Sequence, residues 1–201
     1  MQTQALVLRS AASRENDRLI TALTKESGLV RAFANGARKP KSPLHAATQP
    51  FAFGLMHFTQ RGDTYTIKEA RPEGVFFDGL AADISRLALA NYCAALCVEL
   101  APQQEGASEH LRLMLNALHF LSIGTRPQHL VKSIVELRLI SLAGYLPEDP
   151  SLQRICAAPL EQAFRFIMDE EALLDLSRTS QIYVQHQTGR KFSELTYWEN
   201  L

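Results

Sequence analysis

Over the first seventy positions apolar residues recur with the two-residue alternation of β-strands, and after Asp78 they recur with the spacing of helices. A chain that switches period in this way builds a strand half and then a helix half. Strands are expected near residues 5–9, 17–24, 28–34, 50–58 and 64–70. Glu26-Ser27-Gly28 and Arg61-Gly62-Asp63 mark tight turns, where glycine supplies the positive φ that such turns often need. The stretch 35–49 holds two prolines and the bases Arg38, Lys39 and Lys41, which unsuits it to a sheet ladder and predicts an exposed loop. Five short strands with one long basic loop after the third fit a small barrel of the OB type. An SH3-like barrel is the competing arrangement.

Turn residues thin out after residues 71–79, which sets the expected division at 1–78 and 79–201. Residues 80–100 carry Leu80, Ile84, Leu87 and Val98 on one side and Leu89, Tyr92, Leu96 and Leu100 on the other, the pattern of a helix buried all round. A second helix is expected over 108–123, with Ser108 as N-cap and Gly124 as its stop. Pro127 suits a first helical turn, and the helix it opens should run to Gly144 and Pro147. A last long helix should follow Asp169, with Glu170 and Glu171 in its positive first turn. The expected fold class is therefore α+β, a five-stranded OB-type barrel followed by an all-α domain.

With 201 residues, 46% of them hydrophobic, the chain can bury the cores this plan requires. Its 21 basic and 21 acidic residues cancel, so overall charge points to no partner, but their placement does. Residues 1–80 carry 11 Lys+Arg against 7 Asp+Glu, and residues 81–201 carry 10 against 14. Within 1–41, eight bases face only Glu15, Asp17 and Glu26. Three cysteines and an N-terminal stretch without a long apolar run suit the reducing cytoplasm, and no segment approaches the ~18 apolar residues of a membrane span.

The segment from Arg31 to Lys41 concentrates Arg31, Arg38, Lys39 and Lys41 around a Gly- and Pro-containing loop. Clustered cations of this kind bind phosphate backbones, and a neighbouring aromatic such as Phe33 can stack on an unpaired base. Arg9, Arg14 and Arg18 lie on or beside adjacent strands and favour this reading over a merely solvated loop. The DNA-binding candidates are thus Arg14, Arg18, Arg31, Arg38, Lys39 and Lys41. Phe51 and Phe53 share a face and Phe58 points to the other, and all three read as core. Cys93 and Cys97 lie one helical turn apart but lack the four ligands a zinc site needs, so with Cys156 they read as apolar packing. Arg190-Lys191 reads as a helix C-terminus. The six histidines are scattered, and neither H-E-x-x-H, a glycine-framed serine nor a P-loop occurs. No catalytic residue, metal or cofactor is assigned.

Several segments resemble the RecO family of DNA repair proteins: Glu15-Asn-Asp-Arg-Leu-Ile20 with Thr24, Gly28-Leu-Val, the loop Asn35-Gly-Ala-Arg-Lys-Pro-Lys-Ser42 and Gln49-Pro-Phe51. The match continues with Glu136-Leu-Arg-Leu-Ile140, Gly144-Tyr-Leu-Pro147 and Arg190-Lys-Phe-Ser-Glu-Leu195. The resemblance implies an N-terminal OB-fold, a helical C-terminal domain, and a nucleoid-associated mediator that binds single-stranded DNA and anneals strands without ATP. It also implies the partner RecR and the C-terminal tail of single-strand-binding protein, which is exchanged for RecA. Many relatives carry a four-cysteine zinc module after the Gly-Tyr-x-Pro turn, where this chain has only Cys156 in a short 147–159 segment. The rival functional reading is an OB-fold protein-docking adaptor with little DNA affinity.

Overall fold

The computed structural model describes residues 1–62, 64–145 and 147–201. Asp63 of the expected second turn and Leu146 of the Gly144–Pro147 motif lie outside them. Five strands form: β1 (Gln2–Ser13), β2 (Asp17–Thr24), β3 (Gly28–Ala34), β4 (Ala52–Arg61) and β5 (Thr64–Val75). They close into a barrel in the order β1-β2-β3-β5-β4, and β4 returns to β1. All neighbours run antiparallel except β3 and β5, which meet in parallel at Ala32–Tyr65 and Phe33–Thr66. This is the OB arrangement, as the strand count and the long third connection predict.

The barrel interior combines small and large side chains, as a narrow tapering barrel requires. Ala5, Ala22, Ala32, Ala34 and Ala52 leave room for Ile20, Met56, Phe58 and Ile67. Phe51 is fully buried but departs from the expected strand, because its φ of 61° lies in the left-handed region. Its N–H donates to the Val7 carbonyl (2.8 Å) and its own carbonyl accepts from the Phe76 N–H (3.2 Å), and these bonds hold the strained conformation. That kink breaks the alternation. Phe51 therefore does not share a strand face with the half-buried Phe53, contrary to expectation, while Phe58 is core as expected.

The loop over residues 35–49 also differs from expectation. Arg38, Lys39 and Lys41 are exposed, but Ala37, Leu44, Ala47 and Thr48 are buried, and Ala46–Thr48 forms a turn of 3₁₀ helix. Ala37 and Leu44 belong to the barrel core. The loop is an apolar plug with a cationic crest, not a solvated excursion.

The chain divides into two compact units, residues 1–78 with 102–111 and residues 79–101 with 112–201. Residues 102–107 join the first because they bond to the β2–β3 hairpin: Leu29 N–H to the Pro102 carbonyl (2.9 Å), Gln104 N–H to Ser27 (3.1 Å) and Ala107 N–H to Lys25 (2.9 Å). Gly28 permits this approach, since a Cβ there would sit 2.1 Å from the Pro102 oxygen and its φ is +62°.

The helices are α1 (Phe77–Ala81), α2 (Ile84–Leu100), α3 (Ser108–Ile123), α4 (Gln128–Leu142), α5 (Pro150–Ala157), α6 (Leu160–Ala163), α7 (Glu170–Thr188) and α8 (Ser193–Glu199). The helix expected over 80–100 breaks, because the Asp83 side chain accepts from the Ser85 and Arg86 N–H groups and starts α2 anew. Ile84 is exposed and Leu87 and Val98 are only half-buried, so α2 is buried chiefly from Ala88 to Cys97. Ser108 is already helical instead of capping α3. Pro127 opens α4 and Asp169 caps α7 as expected, with Gly189 left-handed at the end of α7. Short α5, α6 and α8 were not legible in the pattern. In the second unit α4 is central, packing on α2, α5 and α7.

Inside this helical unit lies a fully buried polar network. Lys132 Nζ donates to Glu136 Oε2 (2.9 Å) and to the Ser177 carbonyl (2.8 Å), while Tyr92 Oη and Ser180 Oγ donate to the same carboxylate (2.6 and 2.5 Å). Lys132 and Glu136 are one helical turn apart on α4, so α2, α4 and α7 converge on one satisfied ion pair. Burial pushes the Glu136 carboxyl upward, and Lys132, Ser180 and Tyr92 offset that push. No described helix is long and apolar enough to cross a membrane.

Candidate nucleic-acid interface

Alternation on three strands sorts the candidate residues. Ile20 and Ala22 on β2 and Val30, Ala32 and Ala34 on β3 point into the barrel, so Leu19, Thr21, Arg31 and Phe33 point out. A bulge after Val7 brings β1 into step, with Arg9 and Ala11 outward. Two cross-strand rows result, Arg9–Thr21–Arg31 and Ala11–Leu19–Phe33. Arg9 and Arg31 are exposed and flank Thr21, roughly 10 Å apart across two strand spacings. Leu19 and Phe33 are half-buried beside them. None of the six is acidic.

The loop crest lies at the end of this face. Arg14 occupies the β1–β2 turn in a left-handed conformation (φ 54°), exposed. Arg38 is exposed, yet its guanidinium donates to the Glu15 carbonyl (3.1 Å) and, at 3.5 Å, to that of Arg14. Lys39 and Lys41 stand exposed on the crest. Arg18 is placed differently: it shares the parity of Ile20 and pairs with Ala34, so it sits at the barrel mouth under the loop. Its Nη1 donates to the His45 carbonyl (3.0 Å) and to Thr48 Oγ1 (3.1 Å). Burial and the nearby Arg38 hold its pKa below the usual guanidinium value. Arg14, Arg31, Lys39 and Lys41 are exposed, as is Arg9. Arg18 and Arg38 use their guanidinium groups on protein oxygens. The signal that separates Arg18 was present in the alternation of β2.

The donors do not fit a zinc ion. Cys93 and Cys97 are buried in α2, where burial pushes both thiols up, that of Cys97 to about 12. Cys156 Sγ lies against the Leu137 carbonyl (3.6 Å). Among the described residues no three His, Cys, Asp or Glu side chains come together for a metal.

Residues 1–76 match the family profile described as Recombination protein O N terminal, and residues 81–148 match that described as Recombination protein O C terminal. The chain belongs to the RecO family. It is similar to the DNA repair protein RecO of Heliobacterium modesticaldum, 39% identical over 162 residues, covering 81% of this chain and 58% of that protein. DNA repair protein RecO of Desulforudis audaxviator is 34% identical over 164 residues, covering 81% and 64%. That of Acetivibrio thermocellus is 32% identical over 147 residues, covering 73% and 58%. This RecO-family chain therefore spans less than two thirds of the length of these relatives. Its basic face and loop crest lie within the N-terminal match.

Proposed function

We propose that this chain is a mediator of recombinational DNA repair that binds single-stranded DNA on the barrel and anneals complementary strands without catalysing a covalent step. The observation that carries the reading is the pair of outward rows on β1, β2 and β3, where Arg9 and Arg31 border Leu19 and Phe33 with no acid among them, while Asp17, the next outward residue of β2, gives its carboxylate to the Gly36 N–H of the loop that carries Lys39 and Lys41. Cations there neutralise phosphates irrespective of base sequence, and Phe33 and Leu19 offer apolar surface to unstacked bases. Screening two strands lets them approach, and the duplex supplies the rest, since each stacking step is worth about 1.4 kcal/mol. No nucleotide cofactor enters this scheme. Membership of the RecO family supports the repair role and the proposed partners, namely RecR and the tail of single-strand-binding protein, with exchange of that protein for RecA in the cytoplasm.

Strand annealing on DNA precoated with single-strand-binding protein tests function and partner together. Acceleration by the chain, without ATP or metal, is the expected result. Retention of the binding-protein tail with no oligonucleotide affinity at moderate salt would instead identify a protein-docking adaptor.

A further inference from the structure

The loop over residues 35–49 is stitched to the β1–β2 turn by bonds that do not involve its crest lysines. Asp17 Oδ1 accepts the Gly36 N–H (2.7 Å), the Asn16 carbonyl accepts the Arg38 N–H (3.0 Å), and Arg18 reaches across the barrel mouth to the His45 carbonyl and Thr48 Oγ1. Thr48 Oγ1 in turn donates to the Leu44 carbonyl (2.7 Å), and His45 Nδ1 meets the Ala37 carbonyl (3.1 Å). The anchors therefore tie both ends of the loop to β2. Two of them, Asp17 and Arg18, are adjacent in sequence and point to opposite ends of the loop.

From this geometry we infer that Asp17 and Arg18 are positioning residues, which pre-order the loop so that Lys39 and Lys41 meet phosphate without a folding cost. The inference rests on the DNA-binding reading above. Arg18 commits its Nη1 to two oxygens of the loop, which holds the guanidinium against residues 45 and 48. Asp17 carries a negative charge beside a cationic crest, where bare electrostatics would oppose DNA. Its bond to Gly36 gives that charge a purpose. If the loop loses its anchors, the lysines still find phosphates but must first order the chain, so affinity falls while the number of ions released does not.

The two residues can be tested in the whole chain with Arg18→Gln and Asp17→Ala, and with Asp17→Asn as the variant that keeps an acceptor for Gly36. Amide exchange over residues 36–48 is read first, with no DNA present, and circular dichroism establishes that each variant is folded. Exchange should accelerate by at least roughly 10-fold in Arg18→Gln and Asp17→Ala and stay near wild type in Asp17→Asn. Affinity for an oligothymidine should fall roughly 3- to 10-fold in the first two, with the salt slope unchanged. The sign for Asp17→Ala is decisive, because loss of an acid strengthens binding if only charge matters and weakens it if position matters. Unaltered exchange, tighter binding by Asp17→Ala, or a slope reduced by about 0.7 in Arg18→Gln would each overturn the inference, the last by making Arg18 a direct phosphate contact. Wild-type protein that binds no oligothymidine would remove the DNA reading itself, and the exchange data would still report whether the two residues order the loop.

Discussion

At the residue scale, the same amino-acid type is placed oppositely on adjacent strands. Arg31 projects from the barrel and Arg18 lies beneath its loop because a strand turns successive side chains to opposite faces. A run of bases in the sequence looks uniform, and only the parity of each against Ile20, Ala22 and Ala32 separates outward from inward placement. The Lys132–Glu136 pair shows the limit of such reasoning, since the tyrosine and serines that satisfy it arrive from other helices. Lys132→Met leaves the carboxylate buried with only hydroxyl partners, and should cost about 3–5 kcal/mol in urea unfolding. A loss below about 1 kcal/mol would mean that the carboxyl takes up a proton or water, so that no unpaired charge is left buried. His110 gives a second expectation. Burial holds its pKa below 6.5, with Glu109 pulling upward, and its Nε2 has no hydrogen-bond partner among the described residues. The unfolded chain takes up this proton first as pH falls. Stability from the neutral imidazole is therefore intact above about pH 6.5 and is lost as pH drops through that value towards the lower folded one. Between about pH 7.5 and 5.5 the urea midpoint should fall further in wild type than in His110→Leu, and parallel declines would assign the pH dependence to other groups such as His129.

At the element scale, the loop after β3 and the segment over residues 102–107 both belong to the barrel although neither is a strand. The crest itself is tested by replacing Lys39 and Lys41 together with Ala, which should leave stability within about 0.5 kcal/mol because both are exposed. The salt slope for single strands should drop by about 1.4, roughly 0.7 for each phosphate no longer neutralised, with similar weakening on all base sequences. An unchanged slope in the folded variant would leave the crest merely solvated. The segment over 102–107 is tested at Gly28, where Ala would collide with the Pro102 carbonyl and strain a positive φ. Gly28→Ala should destabilise the barrel by more than about 1 kcal/mol, and the Leu29, Gln104 and Ala107 amides should lose protection together. Local protection elsewhere in the barrel should survive. Strands β2 and β3 were readable because each alternates and ends at turn chemistry, whereas α5, α6 and α8 are short and carry too few turns to establish a period.

At the scale of the whole molecule, the switch of period after residue 78 does not coincide with the division of compact units, because residues 102–111 pack with the barrel. A fragment ending at 78 should therefore be less stable than the barrel within the full chain. Faster exchange at Leu29 in that fragment, where the Pro102 acceptor is missing, is the expected sign, and equal protection would show the barrel to be self-sufficient. The sequence by itself determined the features that neighbours along the chain dictate. Period, turn residues and helix caps specify the five strands, the long helices and the clustering of bases near the N-terminus, since these are encoded within a few residues of one another. Tertiary structure decided the features that depend on residues far apart. It closed the barrel through the parallel β3–β5 pairing, sank the 35–49 loop into the mouth, and joined Tyr92, Lys132, Glu136 and Ser180 in one network. Such arrangements depend on which distant residues the fold brings together to bury apolar surface and to pair most buried polar groups, and no local pattern records where that will be.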